Sequence, residues 1–464
     1  MRSKRIPVAG KYRRKMAFGR PDFFHSRNVL AFSSSPLTYN FDMSSGALRA
    51  GYGTKLHELV PQRAVRYWVY RFYSEESGAY KEQYLFQWSN GLIQVYDADT
   101  DKTMFLSNKQ FPPVTAFNYR LNSVDTVFFT GMGGKLTSWN GKQLVTHDSP
   151  PISSMALHYE RLFVTSADEP TKVFFSDDLD PTNWNVSSSG AGFIELLDER
   201  GYLNKVVSFG NYLYIFRDHG ISRVTAFGDQ KEFSVTNLFV SAGRIYPSSV
   251  ITCGDAMVFL ASDGLYVFDG YECRRVLAEL DGLIVPDDDC ACEYFDGKYY
   301  LACKMKFGDG KSIGCESGSY TANGLLVYTP ATGEFAVSRG LDITYMHACS
   351  FLGEDFLMCN EGGKGCVITR CGARRGESLP KHWSSPPTDF STAAQKHILS
   401  VHADTFTPFT VTFKAEGDDK CVAFDGSTKE QRVDFSGNTI TLAIDTSAVS
   451  PDIPPLTLYY SVYE

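Results

Sequence analysis

The sequence predicts an all-β fold: a β-propeller of six or seven blades, preceded by an extended basic N-terminal arm and followed by a small C-terminal β-sandwich. Three observations predict it. Strand-like apolar runs bounded by Gly, Asn and Asp occur throughout the chain, whereas helical periodicity is scarce. One phrase recurs along the middle of the chain at a spacing of about 40–50 residues, the period of propeller blades. Aromatic residues make up 14% of the chain, with 34 Phe and 26 Tyr. Such side chains pack well on half-buried pleated surfaces.

The phrase is a short polar turn, an apolar strand, a Gly turn and a second apolar strand, often closing on Asp-Gly or Asn-Gly. Its clearest copies are DTVFFTGMGGKLTSWNG (125–141), NYLYIFRDHGISRVTAF (211–227) and DAMVFLASDGLYVFDG (255–270). Weaker copies begin at Tyr84, Arg161, Gly297 and Glu354. Together they place a propeller at 65–388, with seven modules, or six if one weak copy is discounted. Radial stacking of small sheets buries their faces and leaves only short edges. The pairs Asn90-Gly91, Asn140-Gly141, Asp269-Gly270 and Asp296-Gly297 suit two-residue hairpin turns.

Residues 1–64 carry few strand patterns and read as an extended arm for assembly or docking. Residues 389–464 hold short strand candidates (HILSVHA, FTVTFKA, CVAFDG, QRVDFS, TITLAI, LTLYYSVY) that suit a small antiparallel sandwich, or strands that complete a propeller blade.

The formal net charge is −8, which argues against coating of nucleic acid. The arm is the exception. Arg2, Lys4, Arg5, Lys11, Arg13, Arg14, Lys15 and Arg20 all precede the first acidic residue, Asp22. These cations, with Tyr12 and Phe18 as apolar anchors, are the candidate partner-docking residues. A basic segment poor in apolar residues is expected to stay disordered until it docks on an acidic surface or on phosphates. No apolar stretch is long enough to span a bilayer, so no membrane insertion is expected. The basic start is not followed by the apolar core of a secretory signal, so synthesis and retention in a cytoplasm are expected.

Candidate chemistry is weak throughout. Ser176–Trp184 (SDDLDPTNW) is similar to the Asp-box turn of sialidase-type propellers, but Asp180 replaces its Gly and one extra residue precedes Trp184. Glu195, Asp198 and Glu199 suit solvated loops. Asp287-Asp288-Asp289 lacks the spaced oxygens of a calcium loop. The nine histidines are scattered, and no G-x-S-x-G, H-E-x-x-H or phosphate-binding loop is present. Of 11 cysteines, all but Cys421 lie between Cys253 and Cys371, without C-x-x-C spacing, and read as reduced core thiols. No catalytic residue, cofactor or metal is expected.

Several phrases in order carry a family resemblance. NFDMSSGALRAGYGT (40–54), FFSDDLDPTNWN (174–185), VVSFGNYLYIFRDHGISRV (206–224), DGLYVFDG (263–270) and WSSPPTDF (383–390) resemble phrases of tailed-phage virion proteins. The relatives are the packaged-DNA stabilisation, head-completion and tail-accessory (tail hub or nozzle) β-propeller proteins. The resemblance covers about residues 30–400. It implies a non-enzymatic structural subunit of a portal–tail connector or tail conduit. Such a subunit would be made in the host cytoplasm and built into the virion as a six-fold ring of copies. Its implied partners are the portal and adjacent tail or head-completion proteins. Packaged DNA would pass the lumen without sequence recognition during ejection. The alternative is a tail-tip propeller that binds host surface glycan through Trp139, Trp184 and Trp383; a glycosidase ranks below both.

Overall fold

The computed structural model describes residues 7–24, 34–112, 115–308 and 321–463. The chain is nearly all β, and small antiparallel sheets follow one another along it as expected of a propeller. Sheets 1 to 6 span 64–105, 116–146, 154–195, 203–240, 251–276 and 284–339. In each, a strand's neighbour is another strand of the same short segment. Sheet 7 (343–369) takes its fourth strand from far upstream: β5 (Gly53–Lys55) pairs antiparallel with Val367–Thr369.

The layers follow from apolar patterning. The second strand of each sheet is sandwiched between neighbours. Val127, Phe128 and Phe129 in sheet 2, and Leu162, Phe163 and Val164 in sheet 3, are fully buried. Burial of such side chains stabilises by about 1.5–3 kcal/mol each. First strands are only half-buried because they surround a central channel. The first strand of sheet 7 (Ile343–Phe351) packs beside that of sheet 1 (Ala64–Ser74), with the Phe351 ring 4.2 Å from that of Tyr84. Asp296-Gly297 forms the expected two-residue turn, both residues at positive φ (49° and 72°).

The sandwich is assembled from both ends of the chain. In one sheet, β1 (Pro7–Lys15) pairs with Thr457–Tyr463, which pairs with Gln395–His402 and then Glu430–Gly437. In the other, β2 (Leu37–Tyr39) pairs with Lys381–Ser384, followed by Thr441–Thr446, Phe409–Ala415 and Asp418–Phe424. Strict alternation drives this: Phe409, Val411, Phe413 and Ala415 are buried while Thr410, Thr412 and Lys414 point outward. The short strand β3 (Phe41–Asp42) pairs with β4 (Leu48–Ala50), which pairs with Asp452–Ile453.

Three expectations are corrected here. The described part of 1–64 is not a separate arm: β1 and β2 are sandwich strands, and β5 closes sheet 7. The sandwich begins before residue 389, because Lys381–Ser384 belongs to it. The C-terminal strands stay in the sandwich and do not complete a propeller sheet.

The two parts meet along sheet 6. Its last strand, Glu334–Arg339, would be an exposed edge, but the turn after β2 covers it. Asn40 sits at φ 63°, which Asn tolerates, and brackets the strand: Asn40 N donates to Val337 O (2.9 Å), and Arg339 N donates to Asn40 Oδ1 (2.8 Å). At β5 a side chain is forbidden, since a Cβ on Gly53 would lie 2.2 Å from Ala373 O.

Candidate functional site: the propeller channel and its turn face

Half-buried first strands bring polar side chains together at one mouth of the channel. A cavity of about 670 Å³ there is bordered by Arg66, Lys205, the run Asp287–Asp289, Lys304 and Asp342. Each carboxylate of the acidic run has a cationic partner. Lys304 Nζ lies 2.5 Å from Asp287 Oδ2 and 3.6 Å from Asp289 Oδ2, and Arg244 Nη1 lies 2.8 Å from Asp288 Oδ2. The hydrogen bond from Lys304, helped by Asp289 N–H, holds the Asp287 carboxyl below its usual range. Asp342 accepts from Asn323 Nδ2 (2.9 Å). The Arg66 guanidinium lies 4.6 Å above the Tyr345 ring, where burial lowers its pKa. Among the described residues no group of His, Cys, Asp or Glu is placed to hold a metal ion.

The other candidates resolve into folding contacts. In the Ser176–Trp184 loop, Asp177 Oδ1 accepts from Gly190 N (2.8 Å), and Asp180 Oδ1 accepts from Thr182 N (2.9 Å) and Oγ1 (2.6 Å). Its carboxylates therefore hold the loop's own shape. Asp198 is paired with the fully buried Arg217 at 2.8 Å. Desolvation opposes its ionisation, but bonds from Arg200 N–H and Arg217 prevail and lower its pKa. Among the described residues every cysteine is a free thiol. Burial pushes the Cys290 and Cys292 thiols up to about 12, so they are protonated and poor nucleophiles at neutral pH. Trp139 and Trp383 are buried, which removes them as sugar platforms; Trp184 is half-buried.

The ten docking candidates are divided by the fold. Arg2, Lys4 and Arg5 lie outside the described residues. Four others serve the chain itself. The Tyr12 ring stacks on Tyr460 at 5.5 Å, and Arg14 lies 5.1 Å above Phe390. Phe18 is 3% exposed and meets Trp383 edge-on at 5.0 Å. Arg20 pairs with Glu279 (2.8 Å) and covers Phe335. Only Lys11, Arg13 and Lys15 remain on an outward face, along β1.

Sequence reasoning missed a surface on the propeller. In an antiparallel sheet of four strands, the turns between strands 1 and 2 and between strands 3 and 4 share one end. In sheets 1 to 5 this turn face carries apolar side chains where polar ones are the rule, and they link sheet to sheet. Tyr119 Oη donates to Leu179 O (3.0 Å), the Tyr159 and Phe227 rings meet at 5.1 Å, and Arg223 lies over both Tyr212 (4.4 Å) and Tyr271 (5.5 Å). Tyr80, Leu179, Phe227 and Tyr271 are nonetheless 62–70% exposed. The available signal was an aromatic or aliphatic residue set directly in an acidic turn, as in Tyr159-Glu160 and Asp269-Gly-Tyr271-Glu272.

Comparison with protein-family models and with curated proteins gives no match. Among solved structures the chain is similar to the crystal structure of BBS1N in complex with ARL6DN soaked with mercury. The identity is 11%, 69% of this chain and 95% of that chain are covered, and the TM-score is 0.40. The same complex soaked with lead gives 9%, 68%, 97% and 0.41.

Proposed function

We propose that this chain is a structural, non-enzymatic subunit of a tailed-phage particle, built into a portal–tail connector or tail conduit as a cyclic ring, six-fold as the family resemblance implies. Each small sheet is one blade, so the propeller has seven blades and β5 fastens the last. The observation that carries the reading is the exposed apolar and acidic turn face. Contiguous apolar surface on a soluble domain marks a site of protein contact. The ordered phrases that resemble those of phage virion proteins direct the reading to the portal–tail axis. A cavity of about 670 Å³ is the size of a small-ligand site, not of a passage for duplex DNA. The conduit therefore runs between subunits and not along a propeller axis. The glycan-binding alternative loses two of its three tryptophans to the core.

The test is the mass of the full chain, alone and mixed with the particle's portal ring. A closed oligomer, or a defined complex with the portal, is the expected result. A monomer that ignores the portal overturns the reading.

A further inference from the structure

We propose that copies of this chain associate head to tail, with the outer face of β1 in one copy seated on the acidic turn face of sheets 3 to 5 in the next. The inference rests on the ring reading above and names the two surfaces that make the ring.

The first surface follows from strand periodicity. Tyr12, Arg14 and Met16 turn toward the sandwich, onto Tyr460, Phe390 and the core respectively. Arg13 and Lys15 alternate with them, so they point the other way and are exposed; Lys11, in the bulge between Ala9 and Tyr12, is exposed too. None of the three makes an ion pair among the described residues. Arg13 pairs across the strands with Tyr459, Tyr459 with Ser400, and Ser400 with Arg432. Beyond Tyr459 the row is of mixed charge, since Arg432 pairs with Asp434 (3.5 Å) and Ser400 donates to Glu430, so the free cations are those of β1. Cations along a terminal strand also guard it against indiscriminate edge pairing, which leaves room for one specific partner.

The second surface is the opposite in charge. Around Tyr159, Leu179, Phe227 and Tyr271 stand the exposed carboxylates Asp178, Asp229, Asp269 and Glu272, with Lys231, Arg223 over Tyr271 and Arg274 near Asp269 interspersed. Asp229 and Asp269 accept backbone N–H bonds within their own turns (Lys231 N at 3.0 Å; Tyr271 N at 2.9 Å), which fixes where their charge sits. An apolar centre ringed by fixed negative charge fits a cationic strand surface that carries Tyr459.

The two surfaces do not meet within one molecule. The sandwich flanks sheets 6 and 7, through the turn after β2 and through β5. Sheets 3 and 4 are separated from sheets 6 and 7 by sheet 5 on one side and by sheets 1 and 2 on the other. Their complementarity is available only between copies. Because the patches differ, the contact is heterologous, and repeating it yields a ring when the rotation closes.

Three chains test this by sedimentation velocity: wild type, the triple variant Lys11→Glu/Arg13→Glu/Lys15→Glu, and the triple variant Asp178→Lys/Asp229→Lys/Glu272→Lys. All substituted positions are exposed, and circular dichroism verifies folding. Wild type should assemble, and roughly tenfold more weakly when salt rises from about 50 to 500 mM. Each variant alone should lose about 100-fold in association, because like charges then face each other. An equimolar mixture should regain assembly, since the acidic β1 of one variant meets the basic face of the other, and the reverse. If both variants assemble like wild type, the surfaces are wrong while the ring reading stands. If wild type is monomeric at both salt concentrations, the ring reading falls and this inference with it. Loss in both variants without recovery on mixing also overturns the pairing.

Discussion

The propeller and the sandwich are both antiparallel β-structure, yet they are wired in opposite ways. In sheets 1 to 6 every strand pairs with a strand close by in the chain. In the sandwich, Pro7 pairs with Tyr463 and Leu37 with Ser384. Local pairing needs little loop closure, so each sheet can form as its segment appears. The sandwich must bring the two ends of the chain together, at an entropic cost that rises slowly with loop length. Local pairing also writes a repeat into the sequence, whereas distant pairing leaves no mark on either partner.

The largest expected effect tests the sandwich side of this contrast. Phe18 fills the core beside Trp383 from the far end of the chain. Phe18→Ala should cost about 3–5 kcal/mol, as large core deletions do. The loss should appear as a lower denaturant midpoint together with a red-shifted tryptophan emission, because Trp383 gains water. If β1 and its flanking residues were a dispensable arm, the variant would melt like wild type.

The second effect probes the one place where the propeller borrows the sandwich's wiring. Next to β5, the fully buried Glu361 carboxylate is held by Arg374 (2.6 Å) and Arg375 (2.9 Å), and Arg374 pairs in register with Thr54. Glu361→Gln removes the buried negative charge from two guanidinium groups that are about one-third exposed, so it should cost about 1–2 kcal/mol, less than a fully buried pair would. Hydrogen exchange should then rise in sheets 7 and 1, which share the closure, and not in sheet 3. A uniform increase over all sheets would mean that closure is shared evenly around the ring.

The same contrast explains what was legible in the sequence. The repeats, the hairpin turn at Asp296-Gly297 and the alternating sandwich strands could be read because each is a local pattern. The alternation of Tyr12, Arg14, Met16 and Phe18 was equally local, but the density of cations around it suggested a flexible arm. Nothing local in Gly53–Lys55 says that its partner is Val367–Thr369. Nor does Lys381–Ser384 declare which sheet it joins. The paired state of Asp287–Asp289 depends on Lys304 and Arg244, which come from other strands and loops, so the run alone read as a solvated turn. The apolar turn face was the real omission, since each of its residues looks like an isolated exception until the sheets are stacked.

The third effect sits at a local joint, between sheets 3 and 4. His158, at the end of the first strand of sheet 3, is buried, with Nδ1 2.9 Å from Ser208 Oγ. Burial lowers its pKa from 6.5 to about 4, so the ring is neutral in the folded protein at pH 6. The folded value lies below the unfolded one. The stabilisation is therefore complete above pH 6.5 and is lost as pH falls toward 4. By pH 5 the loss should be about 2 kcal/mol, because the unfolded chain takes up a proton that the folded one refuses. His158→Asn cannot titrate, so the difference in unfolding free energy between pH 7 and pH 5 should be about 2 kcal/mol smaller in the variant. Equal pH dependence in the two proteins would mean that this joint opens readily enough to hydrate the imidazole, and that local wiring leaves gaps between sheets that the non-local closure at β5 does not.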